Sequence, residues 1–102
     1  MKKLIFVCSP YSGNVEKNVE FAKQCCMAVL NEGNIPFAPH LFFTGFLDDG
    51  IPEQRKAGID GGMLIMSKCD EVYVFGDTIS TGMAIEIIEA EKLGIMVRKI
   101  PH

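Results

Sequence analysis

Apolar and polar positions along this chain alternate between short unbroken apolar runs and longer stretches with helical spacing. Lys3–Cys8 (KLIFVC) is a nearly continuous apolar run, as expected of a strand buried on both faces of a parallel sheet. Ser9-Pro10-Tyr11-Ser12-Gly13-Asn14 interrupts it and predicts a loop, with Asn14 placed to cap the next helix. That helix runs from Val15 to about Asn31, with Val19, Ala22, Cys26, Val29 and Leu30 on one face and Gly33 as its stop. Ile35–Ala38 reads as a short second strand, and His40–Gly50 as an aromatic loop, with or without a turn of helix. Pro52 suits the first turn of a helix reaching about Ser67. Glu71–Phe75 (EVYVF) is the third strand and Gly76–Ile79 a turn. Ser80 or Thr81 caps a helix to about Leu93, Gly94 ends it, and Ile95–Ile100 is the last strand.

Strands alternating with helices predict right-handed crossovers and an α/β fold. The expected architecture is one domain over residues 1–102, a small doubly wound (flavodoxin/Rossmann-like) parallel sheet of 4–5 strands with helices on both faces. In such sheets the site lies at the carboxyl ends of the strands, so the loops after Cys8, Ala38 and Phe75 should meet there.

Composition narrows the function classes. The 102 residues are 48% hydrophobic, and 10 Lys+Arg against 13 Asp+Glu leave a net charge of −3, which gives no footprint for duplex nucleic acid or an anionic membrane. The apolar run behind Lys2-Lys3 is far shorter than the ~18 residues of a membrane span and lacks a signal-peptide cleavage site, so it reads as a first strand in a cytoplasmic protein. Cys25 and Cys26 are adjacent while Cys8 and Cys69 stand alone, and His40 and His102 are the only histidines, so no zinc spacing exists and no metal is expected. The cysteines read as reduced core thiols. Neither a GxGxxG fingerprint nor a Walker A motif is present, and no cofactor is expected.

Glu86 is the most informative residue. On a helical wheel it falls between Leu93 and Ala90, in the arc completed by Met83 and Ile87 that should face the sheet. A carboxylate on a buried stripe is costly unless it is paired, protonated or used in chemistry. Asp60 repeats the pattern between Met63 and Leu64, flanked by Gly58, Gly61 and Gly62, as if a ligand or another chain approached closely; the bland alternative is a helix break with Asp60 as a second N-cap. Two inward carboxylates suggest acid–base or glycosyl chemistry. Ser80-Thr81-Gly82 opens the helix carrying Glu86 and offers free amides and hydroxyls to an anion such as phosphate, and the Ser9–Asn14 loop offers a second set of donors. Tyr11 either orients a nucleophile, stacks on a base, or merely packs on its loop. His40 either lines the pocket or is structural. Phe42, Phe43, Phe46 and Leu47 suit a lid, a base-stacking wall, a subunit contact or plain core. Ile85 and Ile88 lie opposite Glu86, so their helix is apolar on both sides, which points to an oligomer.

These residues resemble the nucleoside 2-deoxyribosyltransferase superfamily, especially its small bacterial and phage members, and are similar to the 2′-deoxynucleoside 5′-phosphate N-hydrolases. The resemblance rests on SPYSG at Ser9–Gly13, Pro39-His40, Arg55 followed by Asp60, CDEVYVFG at Cys69–Gly76 and ISTGMAIEI at Ile79–Ile87. It implies cleavage of the N-glycosidic bond of a (deoxy)nucleoside or its 5′-monophosphate. By position, Glu86 matches the nucleophile that attacks C1′, Asp60 the acid that assists the leaving base, and Tyr11 the aromatic near the nucleophile. Ser80 and Gly82 match the segment that receives a 5′-phosphate, and Ser9, Gly13, Asn14 and His40 complete the expected substrate-binding set. The resemblance also implies a homodimer or larger homo-oligomer. The chain departs from the pattern after Glu86, where Ile87, Ile88 and Glu89 replace an apolar residue followed by Gly. A non-catalytic nucleotide-binding module is the alternative reading, because fold does not fix function.

Overall fold

A computed structural model describes residues 1–101 and arranges them as alternating strands and helices; His102, noted above only as the second histidine, lies outside them. The strands are β1 (Leu4–Cys8), β2 (Ile35–Phe37), β3 (Glu71–Val74) and β4 (Met96–Lys99), and the helices are α1 (Val15–Asn31), α2 (Pro39–Phe42), α3 (Pro52–Met66) and α4 (Thr81–Lys92). The expected aromatic loop therefore contains α2 and a 3₁₀ turn at Phe43–Gly45. All four strands are parallel, in the order β2-β1-β3-β4, which is the doubly wound arrangement at the lower end of the anticipated strand count.

The apolar runs of β1 and β3 are explained by two cores. Phe6, Cys8, Val72 and Val74 point to one face, where they meet Met66 of α3 and Met83 and Ala90 of α4. Ile5, Val7, Tyr73 and Phe75 point to the other and meet Cys25 and Val29 of α1. A strand with helices on both faces has no polar side, hence no alternation. Along α1 the inward positions are Ala22, Cys25 and Val29. The buried stripe is therefore rotated slightly from the expected one, since Cys26 is only half-buried and Leu30 is exposed. Gly33 and Gly94 follow the α1 and α4 caps at φ +96° and +72°, the left-handed backbone that stops a helix. All four cysteines are free thiols.

At the amino edge of the sheet, away from the loops that carry the candidate chemistry, Glu71 is buried and clamped at 2.7 Å by both Lys3 Nζ and Arg98 Nε. These contacts, led by the Lys3 hydrogen bond, hold its carboxyl below the usual range. The Tyr73 hydroxyl donates to Glu32 Oε1 at 2.6 Å, tying β3 to the end of α1. Among the described residues no helix is long and apolar enough to cross a membrane.

Candidate active site

Beyond the paired carboxyl ends of β1 and β3 the chain runs on to β2 on one side and β4 on the other, and a cavity of about 580 Å³ opens over these ends. Tyr11 and Ser12 after β1, His40, Phe43 and Asp49 after β2, and Ser80–Met83 and Glu86 after β3 line it, with Arg55, Gly58 and Gly62 of α3 along one side. The volume suits a small-molecule ligand of nucleotide size.

Glu86 reaches this cavity because α4 is tightly started. Ser80 is the N-cap: its Oγ accepts the Met83 amide at 3.2 Å and its carbonyl the Ala84 amide at 2.9 Å. Met83 and Ala90, three residues before and four after Glu86, are buried against the sheet, so Glu86 lies on the same stripe. Leu93, expected on that arc, is instead the exposed C-cap. Glu86 Oε1 is buried with no hydrogen-bond partner among the described residues. Burial pushes the Glu86 carboxyl up to about 7, offset in part by the Cys8 thiol beside it. Cys8 is fully buried at the end of β1, and its Sγ donates to the Met83 carbonyl at 3.8 Å. Burial, together with the Glu86 carboxyl, drives the thiol far above its usual range, so it stays protonated.

Tyr11 and His40 both line the cavity and stack on each other, with ring centroids 4.8 Å apart and planes 21° from parallel. Asn18 fixes the Tyr11 loop by donating from Nδ2 to the Tyr11 and Ser12 carbonyls at 2.9 and 3.0 Å. Burial lowers the His40 pKa, so the ring is neutral at pH 7, while the Ser9 carbonyl and Asp49 pull the other way.

Of the expected site residues, Glu86, Tyr11, His40, Ser80 and Gly82 meet at the cavity, and the others do not. Ser9 is fully buried beneath the site, its hydroxyl unpartnered among the described residues. Gly13 forms the exposed turn before α1, and Asn14 Oδ1 is engaged as the N-cap, accepting the Lys17 amide at 3.1 Å. Asp60 is a correction of position. Its side chain is 63% exposed, paired with Lys56 Nζ at 2.7 Å one turn earlier, and outside the cavity lining. Of the apolar arc through Met63 and Leu64, Met63 is half-buried against the core while Leu64 is exposed, and Asp60 follows the exposed side. The packed side of α3 carries Met66, which is fully buried, and two glycines that meet the loop before the helix: a Cβ at Gly61 would sit 2.8 Å from Phe43 Cζ, and one at Gly62 would sit 3.7 Å from Pro39 Cβ. The close approach inferred from the glycines is real, but the intruder is the chain's own aromatic ring.

Thr81 and Ser12, from the two expected donor segments, also line the cavity, and so do Arg55 and Asp49, which no expected site role covers. Arg55 carried a legible signal as an arginine near the start of a helix that opens at the ligand edge. Asp49 carried none, because loop residues have no periodicity to place them. Among the described residues, no group of three or more His, Cys, Asp and Glu could hold a metal ion.

Comparison with solved structures places this fold among the 2-deoxyribosyltransferases. The enzyme from the psychrotolerant bacterium Bacillus psychrosaccharolyticus superposes with a TM-score of 0.77 at 19% identity, over 94% of this chain and 70% of its own. The 2-desoxiribosyltransferase from Leishmania mexicana gives 0.64 at 17% identity, over 96% of this chain and 63% of its own. The chain thus spans about two thirds of these enzymes, and what it shares with them at such identity is the fold. No curated protein matches the sequence. The model of the family described as a domain of unknown function, DUF7768, matches residues 3–100, and the chain belongs to that family.

Proposed function

We propose that the protein is an N-glycosidase that cleaves the base–sugar bond of a (deoxy)nucleoside 5′-monophosphate, with Glu86 as nucleophile. The observation that carries this reading is the Glu86 carboxyl, which is desolvated, has one oxygen without a partner among the described residues, and belongs to a residue that lines a nucleotide-sized cavity. Its raised pKa leaves about half of it ionised near pH 7, and positive charge developing on the sugar favours the ionised form. The carboxylate attacks C1′ through an oxocarbenium-like transition state, the C1′–N bond breaks towards the base, and a glycosyl ester forms on Glu86. Water then releases the sugar phosphate; a second base in place of water makes the same reaction a transfer. The Thr81 and Gly82 amides at the start of α4, with the Ser80 cap, suit the 5′-phosphate. Tyr11 and Phe43 offer aromatic surface to the base. A homo-oligomer is the expected assembly, because Ile85 and Ile88 stand 53% and 52% exposed on the outer side of α4.

A nucleotide-binding module without turnover is the second reading. It is favoured by the position of Asp60, which leaves the base without the acid that the superfamily resemblance supplies. The two readings separate in a chromatographic screen for free base, with each ribo- and deoxyribonucleoside 5′-monophosphate incubated with wild type and with Glu86→Ala. Base release by wild type alone is the expected result. A nucleotide-dependent rise in melting temperature without release supports the binding module instead.

A further inference from the structure

We infer that the group which protonates the departing base is Asp49, on the loop after β2, and that Asp60 takes no part. This assignment rests on the glycosidase reading and adds to it the acid that the reading lacks.

Three observations converge on Asp49. First, Glu86 and Asp49 are the two carboxylates in the cavity lining among the described residues, Asp49 at its exposed rim, whereas Asp60 lies outside the lining and is paired with Lys56. Second, the strand order puts β1 between β2 and β3, so the cavity has two ends. Glu86 and the α4 N-terminus come from the β3 end, and His40 and Asp49 follow β2. A nucleotide with C1′ at Glu86 and its phosphate at Ser80–Gly82 extends its base past Tyr11 towards Asp49. Third, the loop holds Asp49 in place without using its carboxylate. Neighbouring Asp48 makes the turn: its amide donates to Gln54 Oε1 at 2.7 Å, its Oδ1 accepts the Gly50 amide at 2.8 Å, and its carbonyl accepts the Ile51 amide at 3.1 Å. Asp49 is left facing the cavity, near enough to the His40 ring to act on its charge.

The proton balance closes with these groups. As the C1′–N bond breaks, its electron pair goes to the base and the Asp49 carboxyl gives its proton to a ring nitrogen, while a Glu86 oxygen bonds to C1′. Water then attacks C1′, passes a proton to the Asp49 carboxylate and displaces Glu86. Nucleotide and water become free base and sugar phosphate, with both carboxyl groups restored.

The test uses substrates that differ only in how much their base needs a proton. Wild type, Asp49→Asn and Asp60→Asn are assayed on a purine nucleoside 5′-monophosphate and its N7-methyl derivative, whose base already carries positive charge. A pyrimidine nucleotide and its 5-fluoro analogue, a better leaving group, serve as the second pair. Asp49→Asn is expected to lose about 10²–10⁴-fold in kcat on the ordinary base and to recover most of it on the activated one. Asp60→Asn is expected to match wild type on all four. Equal losses on activated and ordinary substrates by Asp49→Asn, or a selective loss by Asp60→Asn, overturn the assignment. No base release by wild type from any nucleotide overturns the glycosidase reading itself, and is a different result.

Discussion

Glu86 couples its own ionisation to folding. Burial raises its pKa from the ordinary 4.5 to about 7. Below about pH 4.5 the group is protonated whether the chain is folded or not, and burial of the neutral form carries no charge penalty. Between those values the unfolded chain ionises while the folded chain resists, so stability falls as pH rises; above the folded pKa the loss is complete, on the order of 3 kcal/mol. Glu86→Gln removes the ionisation and keeps the shape. In urea unfolding at a series of pH values, the variant should gain on wild type by about that amount between pH 4.5 and 8. A difference that does not change with pH would mean that the carboxyl is solvated in the folded state. A carboxylate retained at such a cost fits the role proposed for it, since sites of chemistry are where proteins give up stability.

At the scale of elements, α3 carries the clearest lesson, because the part of its packed side that meets the aromatic loop is glycine, with Met66 buried at its end. Gly58 and Gly61 weaken the helix by about 1 kcal/mol each relative to alanine, and they meet the Phe43 ring at different distances. A Cβ at Gly58 would make ordinary contacts of 3.5 Å or more, whereas one at Gly61 would be 2.8 Å from a ring. That ring is itself wedged against Phe37, Phe42 and Phe46. Gly58→Ala is therefore expected to stabilise the protein by up to about 1 kcal/mol, and Gly61→Ala to destabilise it by about 1 kcal/mol or more, because overpacking outweighs the helix propensity gained. Thermal unfolding of the two variants side by side checks the opposite signs. The wheel misplaced Asp60 for the same reason: a hydrophobic-arc argument assumes that large apolar residues mark the inner face, and here Ile59 and Leu64 are exposed while Gly62 is buried.

For the molecule as a whole, α4 is the helix whose outward apolar side chains lie beside the candidate site. Met83 and Ala90 face the sheet while Ile85 and Ile88 face outward, and Ile85 also borders the cavity. A second copy seated there would cover apolar surface and narrow the mouth of the site together. Sedimentation velocity is expected to find wild type as a dimer or larger species and Ile88→Glu shifted towards monomer. A monomeric wild type would remove the oligomer from the proposal and leave the site on one chain.

The element order, the parallel sheet, the cavity at the strand ends and the place of Glu86 in its lining were all legible in the sequence, because each depends on local signals. Continuous apolar runs mark strands buried on both faces, caps and glycines mark helix ends, and a carboxylate in register with Met83 and Ala90 must face what they face. The resemblance through ISTGMAIEI led to the same carboxylate by another route. Tertiary structure alone decided the rest. Which face of α3 turns inward depends on Met66 entering the core and on a phenyl ring delivered from the loop before the helix, and the position of Asp60 follows from both. Asp49 and Arg55 come to line the cavity only because α2, the 3₁₀ turn and α3 fold over the carboxyl edge of the sheet. The oxygen of Glu86 without a partner is likewise a property of three packed elements, since desolvation is set by what surrounds a group and periodicity reports only the direction in which it points.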